Sequence, residues 1–274
     1  MDCAKGINFV YSCGGEIRDF QGVGKTTSPL LPMIAVPTTS GTGSETQSFA
    51  LISDDETHQK MACGDKQAAF KVAVLDPLTT LTQPAHVTAA TGIDAISHAV
   101  ESYVTRERNP LSMDYSREAW RLLSENFPRV FADPGDVEAR AGMQKGASLA
   151  GLAIEASMLG AAHSAANPLT AQYGIVHGVA IGLVLPAVVR FNSSKVGAEY
   201  DKLTGTEGGH GEGLASSLEK FRELSGLPKT LSAFKVRLED IENLSSDAES
   251  QWTARFNPVT VTAGDFQAIY RDAL

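Results

Sequence analysis

At Pro77 the sequence changes texture. Residues 32–77 offer short runs rich in Val, Ile and Phe, namely MIAVPTT, FALISD and FKVAVLDP, each bounded by Gly, Asp or Pro. Runs of that length and composition read as strands. After Pro77 they give way to Ala, Leu, Glu and Arg at helical spacing over residues 85–105, 111–131, 137–158, 177–191, 213–224 and 263–274. The pattern predicts a mainly α fold with a small strand-rich N-terminal piece, divided into residues 1–77 and 78–274, the helices forming a bundle with that piece at one end. GTEGGHGEG, at 205–213, reads as an exposed loop.

The 274 residues, 43% of them hydrophobic, can bury a sizeable core. The longest apolar stretch, GVAIGLVLPAVV at 178–189, is shorter than the roughly 20 residues a bilayer needs, and Pro186 interrupts it. It is read as a buried core helix, with no membrane partner. Lys+Arg total 23 against Asp+Glu 32, a formal charge of -9, and no basic cluster offers a footprint for nucleic acid. Cys3, Cys13 and Cys63 form an odd, scattered trio without CxxC spacing. That usage fits a reducing cytoplasm, and no secretory signal opens the sequence.

Chemistry-bearing residues gather in the helical part. In TGIDAISHAVES, residues 91–102, Asp94 and His98 stand four apart and share one helix face. Only six histidines occur, and His163 and His177 bracket GAAHSAANPLTAQYGIVHG. There the chain is expected to leave a helix, pass Pro168 in a break and re-enter a helix near His177. A carboxylate and three imidazoles converging on one point would suit a borderline divalent metal, iron or zinc, with room for a substrate oxygen. The same residues fit a plainer reading, in which His98 is a satisfied core histidine and Asp94 a helix-start acid. Spacing leaves both open, and composition alone makes TTSGTGSE, 38–45, a polar turn between strands.

AVPTTSGTGSE, TAATGIDAISHAVESYV, HSAANPLTAQYGIVHGVAIGLVLPAVVRFN and FNPVTVTAGDFQAIYRDAL, in order from Asp2 to Leu274, resemble the iron-containing, or group III, alcohol dehydrogenases. The resemblance implies the helical domain shared with dehydroquinate synthase-like proteins, and an oxidoreductase whose metal polarises or binds a substrate oxygen. It places Fe2+, or Zn2+, on Asp94, His98, His163 and His177, and puts Thr38, Thr39, Gly41, Thr42 and Ser44 near the phosphates and nicotinamide of NAD(P). Catalytic positions fall on His163 and Asn167. The latter stands where the family typically has a histidine assigned to proton transfer, and an amide does not titrate.

In the family a Rossmann-like domain and a Gly-Gly-Gly-Ser turn precede a helix resembling MDCAKGINF, and this sequence opens inside that helix. Residues 1–77 are therefore read as the remnant of a dinucleotide-binding domain, and NAD(P) binding by them is expected to be weak or absent. Two alternatives follow: a metal-binding fragment of an NAD-dependent dehydrogenase, and an NAD-independent iron oxygenase acting on catechol-like diols. A metal-activated hydrolase and a non-catalytic remnant are lesser variants. The expected partners are a small-molecule alcohol, aldehyde or diol and further copies of the chain, with Phe9, Val10 and Tyr11 as candidates for an exposed apolar face.

Overall fold

The computed structural model describes residues 1–54 and 60–274. Residues 55–59, within the segment read as strand-rich, lie outside them. The N-terminal piece opens with α1 (Asp2–Cys13), followed by β1 (Gly22–Val23), β2 (Ile34–Ala35), β3 (Phe49–Ser53), β4 (Lys60–Gly64) and β5 (Val72–Ala73). Strands β3 and β4 pair antiparallel, from Phe49 opposite Gly64 to Ser53 opposite Lys60, and β1 runs parallel to β4. β2 and β5 form a separate parallel pair. The MIAVPTT and FKVAVLDP runs thus supply only two strand residues each. Lys60–Gly64, with little intrinsic strand preference, becomes a strand because β3 offers it a full ladder.

Phe9 is buried, against expectation. It packs on Phe20, ring centroids 5.4 Å apart, in a small core with Ala50, Met61 and Cys63. Two residues along a helix turn a side chain about 200° away, so Tyr11 points outward instead. It is 76% exposed, and Ile7, one turn earlier, is 69% exposed. Val10 is half-buried.

The body comprises α2 (Ala85–Val104), α3 (Pro110–Ala132), α4 (Val137–Ala156), α5 (Ala161–Tyr173), α6 (His177–Thr204), α7 (Glu212–Leu224), α8 (Ile241–Ser250) and α9 (Ala263–Asp272). These share one continuous core. Start signals are explicit: Asn109 and Asp136 accept the N–H groups of Ser112 and Ala139, and Pro110 occupies the first helical position of α3. The apolar stretch at 178–189 continues through Pro186 to Thr204, so α6 is long and apolar enough by composition to cross a membrane. It packs as the core helix predicted, with residues 178–189 buried.

The break expected around Pro168 is a helix, α5, with Pro168 inside it. The ring removes one backbone donor. Ala161, Ala162, Ala165, Ala166 and Leu169 are nevertheless fully buried, and that packing holds the helix. α8 also went unpredicted, although Ile241, Leu244 and Ala248 give it a buried face. Loop 205–213 is mostly exposed as expected, and the Asp201 carboxylate ties it down by accepting the N–H groups of His210 and Gly211.

One close crossing sets the site. A Cβ on Gly178 would lie 1.9 Å from the Ala90 carbonyl oxygen, so only glycine lets α6 approach α2 there. His177 is thereby carried to within one helical turn of Asp94.

Candidate metal centre

Asp94 and His98 project from the buried face of α2, His163 from the first turn of α5, and His177 opens α6. One carboxylate oxygen faces all three rings. Asp94 Oδ1 lies 3.5 Å from His98 Nε2 and 3.8 Å from the Nε2 atoms of both His163 and His177. Ligand-capable atoms of Asp94, His98 and His163 all lie within 4.8 Å of one another. His98 stacks on His163 at 5.0 Å between centroids, and His177, its side chain 22% exposed, stands on the more open side.

These separations are too long for hydrogen bonds. Asp94 Oδ1 and His163 Nε2 are buried with no hydrogen-bond partner among the described residues. Buried polar atoms are ordinarily satisfied. Ligand atoms about 2.1 Å from a shared ion would stand roughly 3–3.5 Å apart, so a divalent cation fits this donor set and would satisfy both orphans. Protonation of three of the four agrees with that chemistry. Burial opposes charge on Asp94, but the facing imidazoles outweigh it and hold the carboxyl well below the usual carboxylate range. Burial pushes His98 down to about 4, and desolvation with the nearby Lys60 ammonium pushes His177 well below its ordinary value. Both rings are then neutral, as ligation requires. For His163, burial opposes protonation, yet the carboxylates of Glu101 and Asp94 together raise it to about 9.

The four residues line a cavity of about 190 Å³. Thr42 and Ser44 form one wall, Ile154, Leu159 and Trp252 supply apolar surface, and Asn167 joins from α5, one turn beyond His163. Asn167 Nδ2 donates to Gln251 Oε1 at 3.1 Å. Thr38, Thr39 and Gly41 do not reach the lining. Thr38 is exposed, with its carbonyl accepting from Gln83, Thr39 is half-buried, and Gly41 is buried against Thr91. The Ser44 hydroxyl is already committed, since it donates to Asp2.

Two residues escaped the sequence reading. Lys5 is fully buried and its ammonium donates to the carbonyls of Ser44, Gln47 and Phe49, each at 2.8 Å, pinning α1 to the segment that walls the cavity. Glu101, seven residues after Asp94, pairs its Oε2 with His163 Nδ1 at 2.5 Å and accepts Ala162 N–H on Oε1 at 2.8 Å. Its signal was an acid on the buried face of a helix already bearing Asp94 and His98.

The family model described as iron-containing alcohol dehydrogenase matches residues 1–77, and that of the C-terminal part of the Fe-containing alcohol dehydrogenase family matches residues 88–274. The NAD-dependent methanol dehydrogenase of Bacillus methanolicus is 33% identical over 100% of this chain and 74% of its own length. The 1,3-propanediol dehydrogenase of Klebsiella pneumoniae is 31% identical over 99% of this chain and 73% of its own. A crystal structure of a 1,3-propanediol oxidoreductase superposes with a TM-score of 0.93 at 31% identity, covering 100% of this chain and 74% of that one. The sulfoacetaldehyde reductase of Bifidobacterium kashiwanohense, solved in complex with NAD+, gives a TM-score of 0.87 at 26% identity, covering 99% and 73%.

Proposed function

Because the chain belongs to the iron-containing alcohol dehydrogenase family and is thus a metal-dependent oxidoreductase, we propose that Asp94, His98, His163 and His177 hold one divalent ion, ferrous iron or zinc, and that the cavity beside them converts small alcohols and aldehydes. The orphaned Asp94 oxygen facing three Nε2 atoms carries this reading. When bound, the ion supplies Lewis acidity toward an alcohol or aldehyde oxygen.

The chain's own groups do the rest. Asp94 keeps its charge and brings one anionic donor to the three imidazoles, of which His163 must shed its Nε2 proton to ligate. Ile154, Leu159 and Trp252 exclude water around a short aliphatic chain. Asn167 holds a hydrogen bond but does not titrate, so it orients rather than moves a proton. A bound nicotinamide would supply the hydride chemistry, as the NAD-dependent methanol dehydrogenase and the NAD+ complex among the relatives support. Thr42 and Ser44 are the residues of the 38–44 segment poised to meet it. With the Ser44 hydroxyl engaged at home, that segment alone grips NAD(P) weakly. The dehydrogenase and reductase names of the relatives give nothing to the diol-oxygenase alternative.

On the same reading, residues 1–77 form the cofactor-side wall and 78–274 the metal-binding body. The three free cysteines fit a cytoplasmic setting, and the exposed Ile7 and Tyr11 favour a homo-oligomer. The test is metal analysis of anaerobically purified protein alongside alcohol oxidation followed at the nicotinamide absorbance. About one ion per chain, and oxidation of short primary alcohols that disappears on chelation, is the expected result. Sub-stoichiometric metal after reconstitution with both iron and zinc overturns the reading.

A further inference from the structure

α5 begins without a cap of its own. Gly160 precedes it and has no side chain to accept the first N–H groups, which a helix start otherwise leaves unsatisfied. Two distant side chains take them instead. Asn257 Oδ1 accepts from Ala161 N at 3.2 Å and Glu101 Oε1 from Ala162 N at 2.8 Å. A Cβ at Gly160 would stand 2.9 Å from that Asn257 oxygen and 3.1 Å from that Glu101 oxygen, so the bare glycine admits both. Asn257 is itself held by Asn192 of α6, with Nδ2 donating to Oδ1 at 2.7 Å.

The other oxygen of Glu101 does something a cap does not need. Its Oε2 meets His163 Nδ1 at 2.5 Å, with both side chains almost fully buried. An ionised carboxylate only accepts, so Nδ1 carries a proton in either charge state of the ring, and the proton given up on ligation is the one on Nε2. That is the atom without a partner, facing Asp94. We propose that Glu101 is the positioning residue of the centre: one carboxylate closes the N-terminus of α5 and fixes the ring of His163 with Nε2 turned toward Asp94. The inference rests on the ligand reading given above. An outer carboxylate of this kind fixes the tautomer and raises the basicity of a ligating histidine, and its loss costs about 10- to 100-fold in metal affinity.

Glu101→Gln separates positioning from capping. The amide keeps shape and its oxygen still accepts from Ala162. The group facing His163 becomes an NH2 donor, which makes Nδ1 an acceptor and moves the proton to Nε2. Zinc competition titrations on the full chain should show affinity about 10- to 100-fold weaker, while the metal-free protein melts close to wild type. Nitrogen-15 NMR should show a low-field His163 Nδ1 proton in the wild type that Glu101→Gln lacks. Glu101→Ala, losing cap and partner together, should lower both melting temperature and affinity. Zinc affinity unchanged in Glu101→Gln overturns the inference, and so does a wild type without that proton. A wild type that shows the proton but takes up neither zinc nor iron sinks the metal reading and leaves the Glu101–His163 pairing standing.

Discussion

The helical body and the N-terminal wall are built on different principles. The body has one large core, and every proposed ligand springs from it on helices packed close enough for Gly178 to touch the backbone of α2. Among the described residues the wall has a small core of six buried apolar residues, and it is tied to the body by polar contacts as well as by the close approach of Gly43 to Gly151. Thr46 donates to the Ser148 carbonyl, and Ser48 donates to the Glu155 carboxylate through both its N–H and its hydroxyl. A metal site needs groups fixed to fractions of an ångström, which dense packing provides.

The largest effects should come from the body's ligands. His163→Ala or His177→Ala should weaken metal binding by more than the about 10- to 100-fold attached to an outer partner, and abolish alcohol oxidation with it, measured by metal analysis and initial rates. Asp94→Asn should act similarly, because a neutral amide is a poorer donor to a hard or borderline dication. Wild-type metal content in any of these would place the centre elsewhere.

Next come the two cores. Phe127 is fully buried between Phe131 and Phe221, and Phe127→Ala should cost about 3–5 kcal/mol and take metal affinity down with it. Phe9→Ala, in the smaller core, should fall near the lower end, about 3 kcal/mol, and spare the metal. Paired melting and metal measurements decide it. Loss of metal in Phe9→Ala would mean that wall and body fold as one unit.

What the sequence revealed follows the same division. Asp94, His98, His163 and His177 stood out because histidines are few and one pair has helical spacing, while the family resemblance joined the other two. Pro168 misleads because a proline ordinarily stops a helix, whereas the burial of Ala161, Ala162, Ala165, Ala166 and Leu169 carries this one past it. Strand β4 was illegible since KMACG acquires its conformation from β3 rather than from propensity. Phe9 was assigned outward because a short helix with unknown partners gives no phase. Lys5 carried no local signal, and nothing near it in the chain foretold three carbonyls 39 to 44 residues away.

Lys5 supplies the next test. Lys5→Met removes the donor to the carbonyls of Ser44, Gln47 and Phe49 but also the cost of burying an ammonium. A net loss of about 1–3 kcal/mol is expected. Amide hydrogen exchange should quicken over residues 44–50 with metal content unchanged. Slowed or unaltered exchange there would show that the wall does not depend on this pin.

The smallest effect on the fold, and the sharpest on assembly, should come from the outer face of α1. Ile7 and Tyr11 are exposed and one turn apart, so they present a contiguous apolar stripe on the wall. If that stripe touches nothing within the chain, Ile7→Ser with Tyr11→Ser should change stability by no more than about 0.5 kcal/mol per site. The proposed metal site lies in the other region, so metal content should be retained. If the stripe instead joins copies of the chain, the double variant should sediment as a smaller species at micromolar concentration. The body offers a control, because Leu111 and Val137 are also exposed, at the starts of α3 and α4. Should Leu111→Ser with Val137→Ser split the assembly while the α1 variant leaves it intact, the association face belongs to the body, and the wall is left free to meet the nicotinamide alone.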